Sequence, residues 1–366
     1  MQHRIDAVRK QFRKLGISNF IVTKFENQAY SNIRYLCGYT GSFGILLITR
    51  KNAYFLTDGR YVNQAKEEIK GAEVIIYSNR GMDGNVFVNE FKHNSRIKFR
   101  GKTGIEGKAN TPLFYQNMRQ TFPNVDLVLT ENVVEDIAAI KEEREIVAFK
   151  KASQITDKVF AEILPLVKPG ISEKELSAEI SYRHMMHGAD KNSFDSIVAS
   201  GPRSALPHGI ASDRKIKKNE FITFDFGCIY DGYPSDMTRT VVVGKATNEM
   251  KRVYNVVREA QLAGVKAVAP GVKCSDVDAV ARRIITDAGY GDKFTHSLGH
   301  GLSQIVHALP SLSANSMATL EINNVVTVEP GVYIEDFGGV RIEDDVLVTK
   351  NGCDIFNTSP KELIEL

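Results

Sequence analysis

Two carboxylates stand where strands should be apolar. Asp225 lies in Phe221-Ile222-Thr223-Phe224-Asp225-Phe226-Gly227, and Asp236 lies in Ser235-Asp236-Met237-Thr238-Arg239-Thr240. Their β-branched and aromatic neighbours read as strands. Asp231-Gly232-Tyr233-Pro234 between them has the chemistry of a turn. A hairpin would set the two acids on neighbouring strands. Bare carboxylates held together in a core raise each other's pKa, and a cation between them removes the conflict. Placement at exposed strand ends is the other arrangement open to a single pair.

An internal repeat supplies more acids. Val167-Lys168-Pro169-Gly170-Ile171 matches Val268-Ala269-Pro270-Gly271-Val272, each between a long helix and a shorter one. Ser200-Gly201 then aligns with His300-Gly301, Thr223-Phe224-Asp225 with Thr327-Val328-Glu329, and Asp236 with Glu343. The common order reads as a duplicated unit. Pairing about a pseudo-two-fold axis would bring Asp225 and Asp236 to face Glu329 and Glu343. One ion with hard oxygen ligands is compatible with this set, and two divalent ions suit four carboxylates better. His296, His300 and His307 follow within one stretch, and a nitrogen ligand would favour a transition metal. The glycines flanking His300 permit close backbone approach.

At 366 residues the chain is long enough for two domains, each with its own core. Composition is that of an ordinary globular protein, no run nears the ~18 apolar residues of a membrane span, and the N-terminus lacks an apolar signal core. Cys37, Cys228, Cys274 and Cys353 are scattered, as in a cytoplasmic protein with reduced thiols. Residues 1–130 hold 20 Lys and Arg against 10 Asp and Glu, out of 47 and 44 in the whole chain, so the remainder is acidic. The basic residues are dispersed, which argues against nucleic acid and for contact between oppositely charged domains or subunits. Periodicity predicts helices over 1–15, 60–70, 84–93 and 111–120, and strands over 20–23, 44–49, 53–57, 74–77, near 97 and over 125–130. This is an α/β domain ending near 130. A long helix over 141–164 opens the second.

The five residues Asp225, Asp236, His300, Glu329 and Glu343 resemble, in type and order, the ligand set of the pita-bread metallopeptidases: prolidase, aminopeptidase P and methionine aminopeptidase. Tyr35-Leu36-Cys37-Gly38-Tyr39-Thr40-Gly41-Ser42 and Leu56-Thr57-Asp58-Gly59-Arg60-Tyr61 resemble the creatinase/prolidase N-terminal domain, which methionine aminopeptidases lack. The resemblance implies a small N-terminal α/β domain over 1–130. Over 131–366 it implies a pita-bread domain with a pseudo-two-fold repeat and a curved antiparallel sheet. It implies a homodimer, two divalent ions (manganese or cobalt first, zinc or iron also suitable), and short Xaa-Pro peptides as substrates. Asp225 would chelate one ion, Asp236 and Glu343 would bridge both, and His300 and Glu329 would complete the second. Glu329 would also carry a proton. His208, His296 and His307 match substrate-binding histidines. Arg341 matches an arginine near the site, equally compatible with a salt bridge to a ligand carboxylate. The first domain would wall the cleft or pack on a partner subunit. An amidinohydrolase or a non-catalytic binding module of the same fold are the alternatives, and both typically lose ligands that this chain keeps.

One segment departs from the family pattern. After Gly299-His300-Gly301 the family usually continues with Ile-Gly-Leu and later His-Glu-x-Pro. Here Leu302-Ser303-Gln304-Ile305-Val306-His307-Ala308-Leu309-Pro310 stands instead. Ser303, Ile305 and Ala308 are therefore expected to narrow the pocket, remove negative charge and favour apolar first residues in the substrate.

Overall fold

The computed structural model describes residues 1–26, 28, 31–77, 97 and 100–366. They divide into two compact units, Met1–Ala138 and Ala139–Leu366. The division falls beyond the expected break at 130 because Val133, Val134 and Ala138 are buried in the first unit's core.

The first unit is built on a mixed six-stranded sheet. Its order is Glu73–Tyr77, Ala53–Asp58, Gly44–Thr49, Asn19–Lys24, Thr103–Glu106, Leu127–Thr130. Helices Gln2–Leu15, Val62–Glu68 and Pro112–Thr121 stand where periodicity put them. The helix expected over 84–93 lies outside the described residues, and of the strand expected near 97 only the buried Ile97 is described. Thr103–Glu106 is an interior strand that the pattern does not announce, since Gly104 and Glu106 are both poor strand residues. Gly104 is there for space: a Cβ would sit 2.9 Å from Phe20 Cδ2.

The second unit shows the repeat as a repeat of structure. Each half gives two helices, Glu143–Ile163 with Glu173–Met186 and Asn248–Ala267 with Cys274–Asp287. Gly170 and Gly271 turn the chain between them at φ 95° and 84°, conformations glycine adopts without a Cβ clash. Gly170 N–H donates to Ile216 O, and Gly271 N–H to Leu320 O, so even the anchoring bonds correspond. One half packs Ala152, Ile155, Val159 and Phe160 on Ile222, Phe224 and Phe226. The other packs Val253, Val257, Val277 and Ala281 on Val326, Val328 and Val346.

Both sheets centre on an antiparallel pair: Glu220–Phe226 with Met237–Val243, and Val325–Val328 with Asp344–Thr349. Ile197–Ser200 and Gly299–Gly301 flank them at matching positions. The halves are stitched where the pairs meet: Glu343 N–H donates to Thr238 O at 3.0 Å, and Thr240 Oγ1 to Arg341 O at 3.0 Å.

Gly227 lets the chain turn just after Asp225-Phe226. A Cβ at this position would lie 1.8 Å from Ser235 O, a backbone atom that cannot swing away. Gly227→Ala should therefore cost about 1–3 kcal/mol or more, read as a lower unfolding midpoint. An unchanged midpoint would show that the segments at Gly227 and Ser235 are not in contact there.

Candidate metal centre

The four acids of the paired hairpins face one cavity of about 360 Å³. Asp225, Asp236, Glu329, Glu343, His208, His296, His300, His307 and Arg341 all line it, so the candidate ligands, the three candidate substrate histidines and the candidate arginine lie together. Phe194, Ile197, Pro207, Ile210 and Val306 form its apolar lining, and Asp195 adds an exposed acid.

His300 is delivered by a strand pressed between two others. A Cβ at Gly299 would fall 2.0 Å from Thr327 O, and one at Gly301 2.1 Å from Leu309 O, so only glycine fits on either side. The ring's Nδ1 lies 3.2 Å from Gly301 O, an acceptor, so Nδ1 carries the proton. Nε2 is then a bare lone pair. It faces Glu329 Oε1 at 3.3 Å and Asp236 Oδ2 at 3.7 Å. Burial, with His307 beside it, pushes the imidazole down to about 4, so the ring is neutral. Ligand atoms of Asp236, His300 and Glu343 lie within 4.8 Å of one another.

Acceptors facing acceptors in a buried space repel unless a cation or a proton lies between them. Asp225 Oδ1 and Glu343 Oε1 are buried without any hydrogen-bond partner among the described residues. Burial, then repulsion from Glu343, raises the Asp236 carboxyl well above its ordinary value. Burial, then Glu329, does the same to Glu343. Burial pushes Glu329 up to about 8, with Arg341 opposing and Asp225 adding to the rise. The donor set and these orphaned oxygens fit a divalent ion, or two.

Arg341 makes a salt bridge to Asp225. Its Nη2 donates to Asp225 Oδ2 at 2.6 Å, Nη1 to Tyr333 OH at 2.7 Å, and Nε to Thr238 Oγ1 at 3.1 Å. Thr238 Oγ1 in turn donates to Glu343 Oε2 at 2.6 Å. Tyr333 accepts from Arg341, so its own proton goes to His296 Nε2 at 2.9 Å. His296 Nδ1 donates to Ser297 O at 2.8 Å. Both His296 nitrogens are thus occupied, and burial with Arg341 nearby pushes the ring down to about 4. Tyr333 and Thr238 complete a continuous chain from His296 to Asp225 and Glu343. The sequence offered no signal for Tyr333, since tyrosine is common in strands.

The departure segment lies differently from expectation. Val306 and His307 reach the cavity, while Ser303, Ile305 and Ala308 are not among its lining residues. The reason is local: Ser303 N–H closes a tight turn onto Ile305 O, and Ala308 opens a strand paired with Gly301. Narrowing by Ser303 and side-chain reading by Ile305 are therefore set aside.

The chain is similar to known proteins. Residues 147–350 match the model of metallopeptidase family M24, and residues 4–140 match the creatinase/prolidase N-terminal domain. An uncharacterized peptidase of Bacillus subtilis, YqhT, is 42% identical over 99% of this chain and 100% of its own. The Xaa-Pro dipeptidase of Pyrococcus horikoshii is 36% identical over 91% of this chain and 92% of its own. Among solved structures, an Xaa-Pro dipeptidase from Bacillus anthracis superposes with TM-score 0.92 at 40% identity, covering 100% of this chain and 99% of that one. An X-Pro aminopeptidase from Thermotoga maritima does so with TM-score 0.89 at 35% identity, covering 99% of each. The chain belongs to metallopeptidase family M24 and carries a creatinase/prolidase N-terminal domain. It is a hydrolase whose family works with divalent metal ions.

A titration follows from these pKa positions. The Glu329 carboxyl, pushed up to about 8, holds a proton at about pH 7 and must lose it to bind a cation, and the Asp236 and Glu343 carboxyls are raised in the same direction. Divalent-ion binding should therefore release protons and strengthen as pH rises. Calorimetry in two buffers of different ionisation enthalpy reads this directly. Identical heats in both would mean that these carboxyls are not the ligands.

Proposed function

We propose that this protein hydrolyses the bond between an N-terminal residue and proline in short peptides, using two divalent ions. Asp225, Asp236, His300, Glu329 and Glu343 would hold them. The observation that carries this reading is the pairing of unpartnered carboxylate oxygens with the bare Nε2 of His300 inside one cavity. The relatives named for this activity, among them the Pyrococcus dipeptidase and the Bacillus anthracis structure, support the substrate class.

When bound, such ions polarise a carbonyl and acidify a water molecule. The protein's own groups do the rest. Glu329 holds the proton taken from the attacking water and delivers it to the departing proline nitrogen. His208 and His307 reach the cavity with rings free to hydrogen-bond the substrate carbonyl; burial lowers the pKa of His307, which keeps it neutral. His296 acts through Tyr333 rather than on substrate, because both its nitrogens are committed. Arg341 steadies Asp225 and balances part of the acidic charge. Phe194, Ile197, Pro207, Ile210 and Val306 give an apolar bed for the proline ring and exclude water. A bond to proline has no N–H, so peptidases that read that hydrogen cannot use it, and shape must select it instead.

The test is hydrolysis of Ala-Pro and Ala-Pro-Ala by purified protein, with and without chelator. Activity on at least one, abolished by chelation and restored by a divalent ion, is expected. The two peptides separate dipeptidase from aminopeptidase preference. Asp236→Ala should lower kcat/KM by more than the roughly 10–100-fold that loss of a ligand's supporting partner costs. It should also cost more than Asp225→Ala. Full activity in Asp236→Ala would overturn the assignment.

A further inference from the structure

His208 sits on an exposed loop, and its ring makes no hydrogen bond among the described residues, so the loop alone decides where it points. That loop, 201–211, is closed at its base by one buried acid. Glu173 opens the helix Glu173–Met186, and its side chain is fully inaccessible to solvent. Its Oε1 accepts the N–H and the hydroxyl of Ser200, both at 2.8 Å. Its Oε2 accepts the N–H of Ser212 at 2.9 Å, its hydroxyl at 2.6 Å, and Arg203 Nε at 3.0 Å. Arg203 reaches on through Nη2 to Ile210 O at 2.6 Å. One carboxylate thus ties together the two ends of the loop and an arginine within it. Ser204 pins the middle: it donates to Gly201 O at 2.6 Å and accepts Gly339 N–H at 2.8 Å, from the strand that carries Arg341.

The other half of the repeat holds His296 by the same means. Asp278, fully buried on Cys274–Asp287, accepts Leu298 N–H at 3.0 Å and is gripped by Arg282 at 2.7 and 2.8 Å. Arg282 donates to Phe294 O at 3.1 Å and His296 O at 2.8 Å. The two acids are not equivalents in the repeat. Gly170 and Gly271 in register put Glu173 opposite Cys274, one turn short of Asp278. The solution is the same in kind: a buried acid on the second helix, an arginine about a third exposed, and a loop bearing a cavity histidine.

From this we infer that Glu173, with Arg203, is a positioning residue that sets His208 for substrate, an inference resting on the peptidase reading above. It touches neither substrate nor metal ligand. A neutral glutamine of the same size cannot replace it. Its amide nitrogen only donates, so one end of the clamp would meet donor with donor.

The experiment compares wild type, Glu173→Gln, His208→Ala and the double variant. Metal content should stay unchanged in all four. Glu173→Gln should raise KM for Ala-Pro about tenfold with kcat within about twofold, the pattern of lost substrate binding. In the His208→Ala background it should add almost nothing, because the two act as a unit. Hydrogen exchange followed by mass spectrometry should show faster exchange over 201–211 and unchanged exchange over 221–226. Should Glu173→Gln fail to fold, Ser212→Ala removes a single contact of the clamp and should shift exchange and KM in the same direction. Unaltered exchange in the loop overturns the clamp, whatever the substrate. Altered exchange with fully additive kinetic losses overturns the link to His208. Wild type inert on both proline peptides would refute the peptidase reading instead, and the exchange result would still decide the clamp.

Discussion

Asp225, Asp236, Glu329 and Glu343 are buried or nearly so around one cavity. Like charges at that density raise one another's pKa and destabilise the fold that gathers them. Local propensity cannot offset this, so the surroundings must. Arg341 stands against Asp225, and Thr238 donates to Glu343. The remaining oxygens without a hydrogen-bond partner among the described residues, with the His300 lone pair, could be satisfied by a metal ion. The groups that make the empty pocket costly are the ones proposed to hold the cation.

A second layer holds the acids in place from behind. Asp345 accepts the Asp236 N–H and the Ser153 hydroxyl, each at 3.0 Å. Arg239, buried, pairs with Asp344 at 2.7 Å and donates to the carbonyls of Thr238, Glu343, Ser359 and Pro360. Lys361 reaches the same Asp344 at 3.0 Å, and Asp157 gathers the amides and hydroxyls of Thr358 and Ser359. The C-terminal segment, which carries none of the residues assigned to the site, is therefore part of what fixes Glu343. Burying such charges costs solvation, and breaking one partner leaves the other uncompensated. That is a reason to expect this layer to hold one geometry rather than several.

The duplication explains why so much converges. Each half supplies a helix pair, a flanking strand and an acid-bearing hairpin, and the halves meet at Thr238, Thr240, Arg341 and Glu343. Equivalent positions then fall opposite each other without any further device. The symmetry is broken where chemistry needs it. Ser200 remains a structural hydroxyl bonded to Glu173, while its counterpart His300 turns a ring nitrogen to the acids.

The sequence by itself determined which residues could hold a metal ion. Acids inside apolar strands, and glycines on both sides of His300, are violations of local preference with few explanations. The Pro-Gly turns and the order of elements also exposed the repeat. It did not determine Tyr333, Glu173 or Asp278. A strand tyrosine and helical acids are ordinary residues until a third element, far away in sequence, supplies their partners. It misdirected attention to Ile305, because a single residue's turn at Ser303 decides whether 305 or 306 faces the cavity, and side-chain direction there follows no regular period. Composition and period fix what a segment is; which of its atoms meet another segment is decided only when the halves close and every buried donor and acceptor must find its pair.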